Sequence, residues 1–245
     1  MKLTDFRVLT FDCYGTLIDW ESGIHTALLP LLRKAGLNLS RDAALEAFAK
    51  HESAREAETP SMVYSELLAT VHRRLAKEWQ TTVSEEDHRR FGAAVPQWPA
   101  FPDSAAALQY LKQHYKLVIL SNVDRESFKG SNQRLGVVFD AIYTAQDIGS
   151  YKPNPANFRY MLDHLAKLGH AKDAILHTAQ SLFHDHAPAK QFGLACAWID
   201  RRHDQGGWGA TMPPPAMEEG RGARYDFRFT SMADMVTAHQ AELRK

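Results

Sequence analysis

Short apolar runs alternate with amphipathic stretches along most of this chain. Residues 7–11 form a β-rich run that stops at Asp12. Residues 20–35 place Ile24, Leu28, Leu31 and Leu32 at helical spacing, and Gly36 offers a C-terminal stop. A second helix is predicted over 41–56, with Ser40 as its N-cap. After the break at Glu58-Thr59-Pro60-Ser61, a third helix spans 62–78 and carries Leu67, Leu68, Val71 and Leu75. A short fourth spans 85–94. No strand-like run interrupts residues 20–95, so this block reads as an all-helical insert of about four helices.

The pattern changes at Trp98-Pro99-Ala100-Phe101-Pro102-Asp103, where two prolines mark a linker or turn. Helices are predicted over 104–114, 125–135, 154–168 and 187–192. Between them lie strand-like runs at 116–120, 141–144, 174–178 and 194–199. Strands alternating with helices predict a mostly parallel sheet with right-handed crossovers, hence an α/β fold. Residues 201–224 are rich in Gly and Pro and read as a surface loop. Residues 226–229 read as a final edge strand, followed by a terminal helix from Met232.

A length of 245 residues suggests one large or two modest domains. Lys+Arg and Asp+Glu balance at 29 each, so no basic excess points to a nucleic-acid or membrane-surface partner. The two cysteines, Cys13 and Cys196, lie far apart and outside any Cys-x-x-Cys arrangement, which argues against a disulfide framework or a cysteine zinc site. Cys13 adjoins Asp12, but the alternation of a strand turns its side chain to the other face, where it packs as a small hydrophobe. Residues 1–7 carry charges where a signal peptide is apolar, and no apolar run approaches the ~18 residues that span a bilayer. The expectation is a cytoplasmic protein acting on a small molecule.

Four stretches carry candidate chemistry. Asp12 ends a buried strand, at the sheet edge where ligands bind in open α/β folds. A carboxylate there is either a turn residue or a nucleophile that forms an ester with substrate. Ser121 and Asn122 follow another buried strand, and either bind an anionic group or cap the next helix. Lys152 precedes Pro153 and is held extended. It is either an ordinary solvated lysine or a cation that keeps a neighbouring carboxylate ionised. The strand at 174–178 leads to Gln180-Ser181-Leu182-Phe183-His184-Asp185-His186, where Asp185 can orient Lys152 or activate a water. His184 and His186 flank it, but two histidines without a third ligand are thin ground for a metal site, and none is expected.

Taken together, Asp-x-Tyr-Gly-Thr-Leu at 12–17, Ser121-Asn122, Lys152-Pro153 and Asp185 resemble the haloacid dehalogenase (HAD) superfamily over nearly the whole chain. The resemblance implies a Rossmann-like, doubly wound parallel sheet core over 1–19 and 97–245, with a helical cap domain over 20–96. It implies Asp12 as nucleophile, Lys152 keeping it ionised, Asp185 positioning Lys152 or water, and Thr16 with backbone amides stabilising an oxyanion. Ser121 and Asn122 would hold a substrate carboxylate, with Gln180 and Ser181 also on the substrate side. Tyr14 and Trp20 would wall the halogen.

The phosphatases of this superfamily carry Asp-x-Asp, the second Asp being the general acid for an alkoxide. Here that position is Tyr14, and a halide needs no proton. The first motif is similar to that of the type II (S)-2-haloacid dehalogenases. Gln180 stands where magnesium-dependent members have an acid, and magnesium prefers several hard oxygen ligands. No cofactor is therefore expected, and magnesium only under the phosphatase alternative. The implied reaction displaces halide from a small 2-haloalkanoic acid, forms an aspartyl ester and hydrolyses it to a 2-hydroxy acid. The alternatives are a magnesium-dependent phosphatase on a small phosphoester and a weakly catalytic binding module. A homodimer is a family-level expectation. There are departures. The family's fourth motif reads Ser-Ser-Asn-x-x-Asp, against Gln180-Ser181-Leu182-Phe183-His184-Asp185 here. A family tyrosine after Lys-Pro is Phe158. The family's cap arginine aligns loosely with Lys50, with Arg55 nearby, and lysine does not replace arginine at a bidentate carboxylate site.

Overall fold

A computed structural model of the protein describes residues 1–213 and 225–244. β1 (Val8–Phe11) is followed by four helices: α1 (Trp20–Ala35), α2 (Arg41–Glu58), α3 (Tyr64–Glu78) and α4 (Glu85–Gly92). Then come α5 (Ser104–Leu111), β2 (Lys116–Ser121), α6 (Arg125–Leu135), β3 (Ala141–Thr144), α7 (Ala145–Ile148) and α8 (Pro155–Lys167). β4 (Ile175–Ala179), α9 (Ala187–Gln191), β5 (Ala195–Ile199), β6 (Phe227–Phe229) and α10 (Met232–Leu243) complete the chain.

The six strands form one sheet in the order β3-β2-β1-β4-β5-β6, every pair parallel. β1 lies near the middle. The chain builds outward from it to β2 and β3, then returns to its other side at β4. That reversal of direction opens a crevice at the carboxyl ends of β1, β2 and β4.

Both faces of the sheet are covered, which is why the strands read as unbroken apolar runs. Leu9, Phe11, Leu117, Ile119 and Leu176 face one core, with α5, α6 and α10 above them. Val8, Val118, Leu120 and Ile175 face the other, under Phe158, Met161 and Leu165 of α8 and Ala189 of α9. The first core continues without a break into the inserted helices, through Ile24 and Leu28, Leu45 and Phe48, and Leu67, Val71 and Leu75. The fold is a doubly wound α/β sheet with an inserted helical cap.

Ser40 caps α2, its hydroxyl accepting from the Ala43 N–H at 3.2 Å. The buried stripe of α2 starts with Ala44, Leu45, Phe48 and Ala49, then continues at the same helical spacing with two buried acids, Glu52 and Glu56. The observed helices differ from the expected spans by a few residues at their ends. Among the elements not expected are α7, four residues long and capped by Thr144, and a π-helical turn, Leu182–His186, in a stretch expected to be loop. Of the loop expected over 201–224, residues 214–224 lie outside the described residues. Among the described residues no helix is long and apolar enough to cross a membrane. Cys13 and Cys196 are both buried and free.

Candidate active site

The ladder of β1 extends one residue past the strand, where the Asp12 N–H donates to the Thr178 carbonyl at 3.1 Å. The chain then turns sharply. Leu17 and Ile18 N–H both donate to the Cys13 carbonyl, at 2.8 and 2.9 Å. Gly15 sits at φ 90°, and a Cβ there would lie 3.0 Å from Trp20 Nε1, so only glycine fits. The turn aims Thr16 back at the strand end. Its hydroxyl donates to Asp12 Oδ2 at 2.8 Å and accepts from the Gln180 N–H at 2.9 Å.

Lys152 is not a surface lysine. It is 1 % exposed and its ammonium uses all three donors. They go to Asp12 Oδ1 at 2.9 Å, Asp185 Oδ1 at 2.7 Å and the Leu120 carbonyl at 3.0 Å. Asn122 holds its backbone at both ends: the Lys152 N–H donates to Asn122 Oδ1 at 2.7 Å, and Asn122 Nδ2 donates to the Lys152 carbonyl at 3.0 Å. Asn122 thus positions Lys152.

The π-helical turn delivers Asp185, with Ser181 Oγ accepting from the His184 N–H at 3.0 Å. Asp185 Oδ1 also faces His177 Nε2 at 3.1 Å, and His177 Nδ1 faces Thr10 Oγ1 at 2.9 Å. An ionised Asp185 assigns the proton to Nε2, so Nδ1 accepts from Thr10. Thr10 and His177 are register partners across β1 and β4, and this pair braces the acid from below. Asp185 Oδ2 is buried without a hydrogen-bond partner among the described residues.

Two carboxylates and one ammonium leave a buried net negative charge. Burial pushes the Asp185 carboxyl up, but Lys152 and His177 outweigh it and hold the group below the usual range. Burial likewise works against the Lys152 ammonium, and Asp12 with Asp185 reverse this and hold it firmly charged. For Asp12 burial wins. Its carboxyl is held above the ordinary value of 3.8, with Lys152 opposing and Asp185 reinforcing the rise.

Asp12 opens onto a narrow cavity of about 40 Å³. Of the residues expected at the site, Tyr14, Trp20, Asn122, Lys152, Ser181 and Asp185 also line it. The Tyr14 hydroxyl pairs with Ser131 Oγ of α6 at 2.8 Å, and its ring packs edge-on against Trp98. Thr16 supports Asp12 from behind. Ser121 is buried at the end of β2 with its hydroxyl unpartnered among the described residues. Gln180 lines an adjoining pocket with Arg201 and Arg202. Lys50 is a correction. Its side chain is 73 % exposed and its ammonium stands 3.8 Å from Glu78, on the outer face of α2. Helical spacing places it off the buried stripe, so it meets no substrate in the cavity.

Glu52, Glu56, Tyr64 and His184 line the cavity and were not expected there. For Glu52 and Glu56 the signal in the sequence was acid continuing the apolar stripe of α2. His186, paired with His184 in the sequence, turns away and its Nε2 meets the Ala179 carbonyl at 2.9 Å.

The haloacid dehalogenase-like hydrolase family model matches residues 6–176, and the chain belongs to that family. (S)-2-haloacid dehalogenase 4A of Burkholderia cepacia is 29% identical over 176 residues, covering 65% of this chain and 69% of the relative. The L-2-haloacid dehalogenase of Xanthobacter autotrophicus superposes with a TM-score of 0.74 at 18% identity, covering 96% of this chain and 98% of that one. The putative HAD-hydrolase YfnB of Bacillus subtilis, solved with magnesium, gives 0.70 at 18% identity over 96% and 99%. These two are likenesses of fold.

Proposed function

We propose that this hydrolase is a dehalogenase of small 2-haloalkanoic acids that works through an ester on Asp12. The observation that carries this reading is the pairing of a Lys152-bound Asp12 with Tyr14 two residues on. The Tyr14 phenol is pushed well up by burial and its hydroxyl is engaged by Ser131. The first motif therefore supplies a nucleophile and no acid for an alkoxide leaving group. Halide leaves without a proton.

In the first step an Asp12 carboxylate oxygen attacks the carbon bearing the halogen. The C–O bond forms as the C–X bond breaks, and halide departs with the electron pair. In the second step water attacks Cγ of Asp12. Asp185 Oδ2 has no other partner and takes the proton of that water, which passes to the departing alkoxide. Thr16 Oγ1, with backbone N–H groups of the 13–18 turn, steadies the charge on the ester oxygen. The sum is haloacid plus water giving 2-hydroxy acid, halide and a proton.

No metal is invoked. Among the described residues no group of three His, Cys, Asp or Glu side chains is arranged to hold one. Lys152 takes one oxygen of each acid, Asp12 Oδ1 and Asp185 Oδ1. The test is halide release from (S)-2-chloropropanoate, chloroacetate and fluoroacetate, with and without EDTA. Release that survives EDTA and disappears in Asp12→Asn is expected. No halide from any of them, with magnesium-dependent phosphate release from small phosphoesters, would replace this reading with phosphatase activity.

A further inference from the structure

The cap wall of the cavity carries two buried acids that a haloacid alone does not explain. Glu52 and Glu56 lie one turn apart on α2, 4 % and 7 % exposed, and both line the cavity. The Tyr64 hydroxyl donates to Glu52 Oε1, and Asn122 Nδ2 donates to Glu56 Oε1 at 3.1 Å. The second oxygen of each carboxylate accepts no hydrogen bond among the described residues. His184 Nε2 stands 3.8 Å from Glu56 Oε2, beyond hydrogen-bond reach. It is itself buried without a partner among the described residues.

No cation answers these acids. Burial pushes His184 down to about 4, so it is uncharged at neutral pH. Lys152 is the one lysine or arginine lining the cavity among the described residues, and its three donors are already taken. Once Glu52 and Glu56 are ionised, the wall presents open acceptors at Glu52 Oε2 and Glu56 Oε2, and His184 Nε2 adds a third in the tautomer whose proton lies on Nδ1, toward Ser181 Oγ. A ligand carboxylate would be repelled by the ionised acids and could be held only by their protonated forms. A protonated amine has three donors and no acceptor, and it matches the wall.

We propose that Glu52, Glu56 and His184 form a subsite for an ammonium group, so that the preferred substrate is a short haloacid that also carries a protonated amine. Substrate turnover rests on the dehalogenase reading; the ammonium subsite does not. Buried carboxylates without a cation are stable only when protonated. Burial pushes Glu52 up to about 8, and burial with the neighbouring Glu52 pushes Glu56 well above its ordinary value. Binding an ammonium ion ionises them, so protons leave as the ligand enters.

The matched substrates are 2-chloropropanoate and 3-amino-2-chloropropanoate, which differ by one amino group. The amine-bearing acid is expected to show at least a tenfold higher kcat/KM, and Glu52→Gln or Glu56→Gln to bring the ratio within threefold of one. Equal use of the two, or preference for 2-chloropropanoate, would overturn the proposal. Calorimetry with propylammonium and propanoate, in two buffers of different ionisation enthalpy at pH 7, reads the subsite without turnover. Propylammonium is expected to bind with proton release, and to bind at least tenfold more weakly to either glutamine variant. Propanoate binding as tightly, propylammonium binding without proton release, or no binding of either would overturn it. Ammonium binding without halide release from any substrate would sink the dehalogenase reading and leave the subsite standing.

Discussion

At the scale of single residues the account rests on three charges. Lys152 lies within 2.9 Å of both Asp12 and Asp185, and removing it leaves two buried carboxylates facing each other. Such a loss of one partner is strongly destabilising, by about 3–5 kcal/mol. Lys152→Met is expected to lower the urea midpoint and to reduce halide release at least 100-fold, the scale of losing one well-placed electrostatic group. Wild-type turnover in that variant would remove Lys152 from the mechanism. Asp12 makes a second prediction. Its carboxyl is raised by burial, and protonation destroys the nucleophile. The rate therefore falls as pH drops through that group, with the acid limb of kcat/KM centred above 3.8. A limb centred at or below 3.8 would contradict the described burial. Asp12, Lys152 and Asp185 were legible in the sequence because Asp12 follows a strand, Lys152 precedes a proline and Asp185 comes after a strand and loop, in a fixed order. His177 was not, because a histidine inside an apolar run gives no sign of the acid it will meet.

At the scale of elements, α2 decides what the site admits. Its stripe runs from Leu45 and Phe48 to Glu52 and Glu56, so the face that anchors the helix also supplies the cavity wall. The helix and its Ser40 cap could be read from spacing alone. The direction of its acidic end could not, since only contact with the sheet edge shows that the stripe stays buried there. Lys50 misled for the same reason: a loose alignment placed it inward, and helical geometry places it outward. A stability prediction follows from Glu52, whose folded value of about 8 exceeds its ordinary 4.5. A carboxyl raised on folding favours the folded state while both states are protonated, and loses that advantage as pH rises toward the folded value. Unfolding free energy in wild type should therefore fall between pH 5 and 8, by an amount on the order of a few kcal/mol. Glu52→Gln should flatten that slope in urea titrations. An unchanged slope would mean that Glu52 is ionised in the empty protein.

At the scale of the whole molecule, the sheet order brings four distant stretches to one edge. β1 supplies Asp12, the end of β2 leads to Asn122, the turn after α7 supplies Lys152, and the π-helical turn after β4 supplies Asp185. The alternation of strands and helices was enough to foresee a parallel sheet and hence that edge. α7 and the π-helical turn were not foreseen, because four or five residues are too short to show a period. The continuous core under α1, α2 and α3 keeps Glu52 and Glu56 above Asp12, and no local pattern encodes that long-range placement. The central claim is that the hydroxyl oxygen of the product comes from Asp12 and not directly from water. Mass spectrometry after a single turnover in ¹⁸O-water, with enzyme in excess, tests it. The account predicts ¹⁸O in the carboxylate of the peptide containing Asp12 and none in the released 2-hydroxy acid. Label appearing directly in the 2-hydroxy acid, with Asp12 unlabelled, would contradict it.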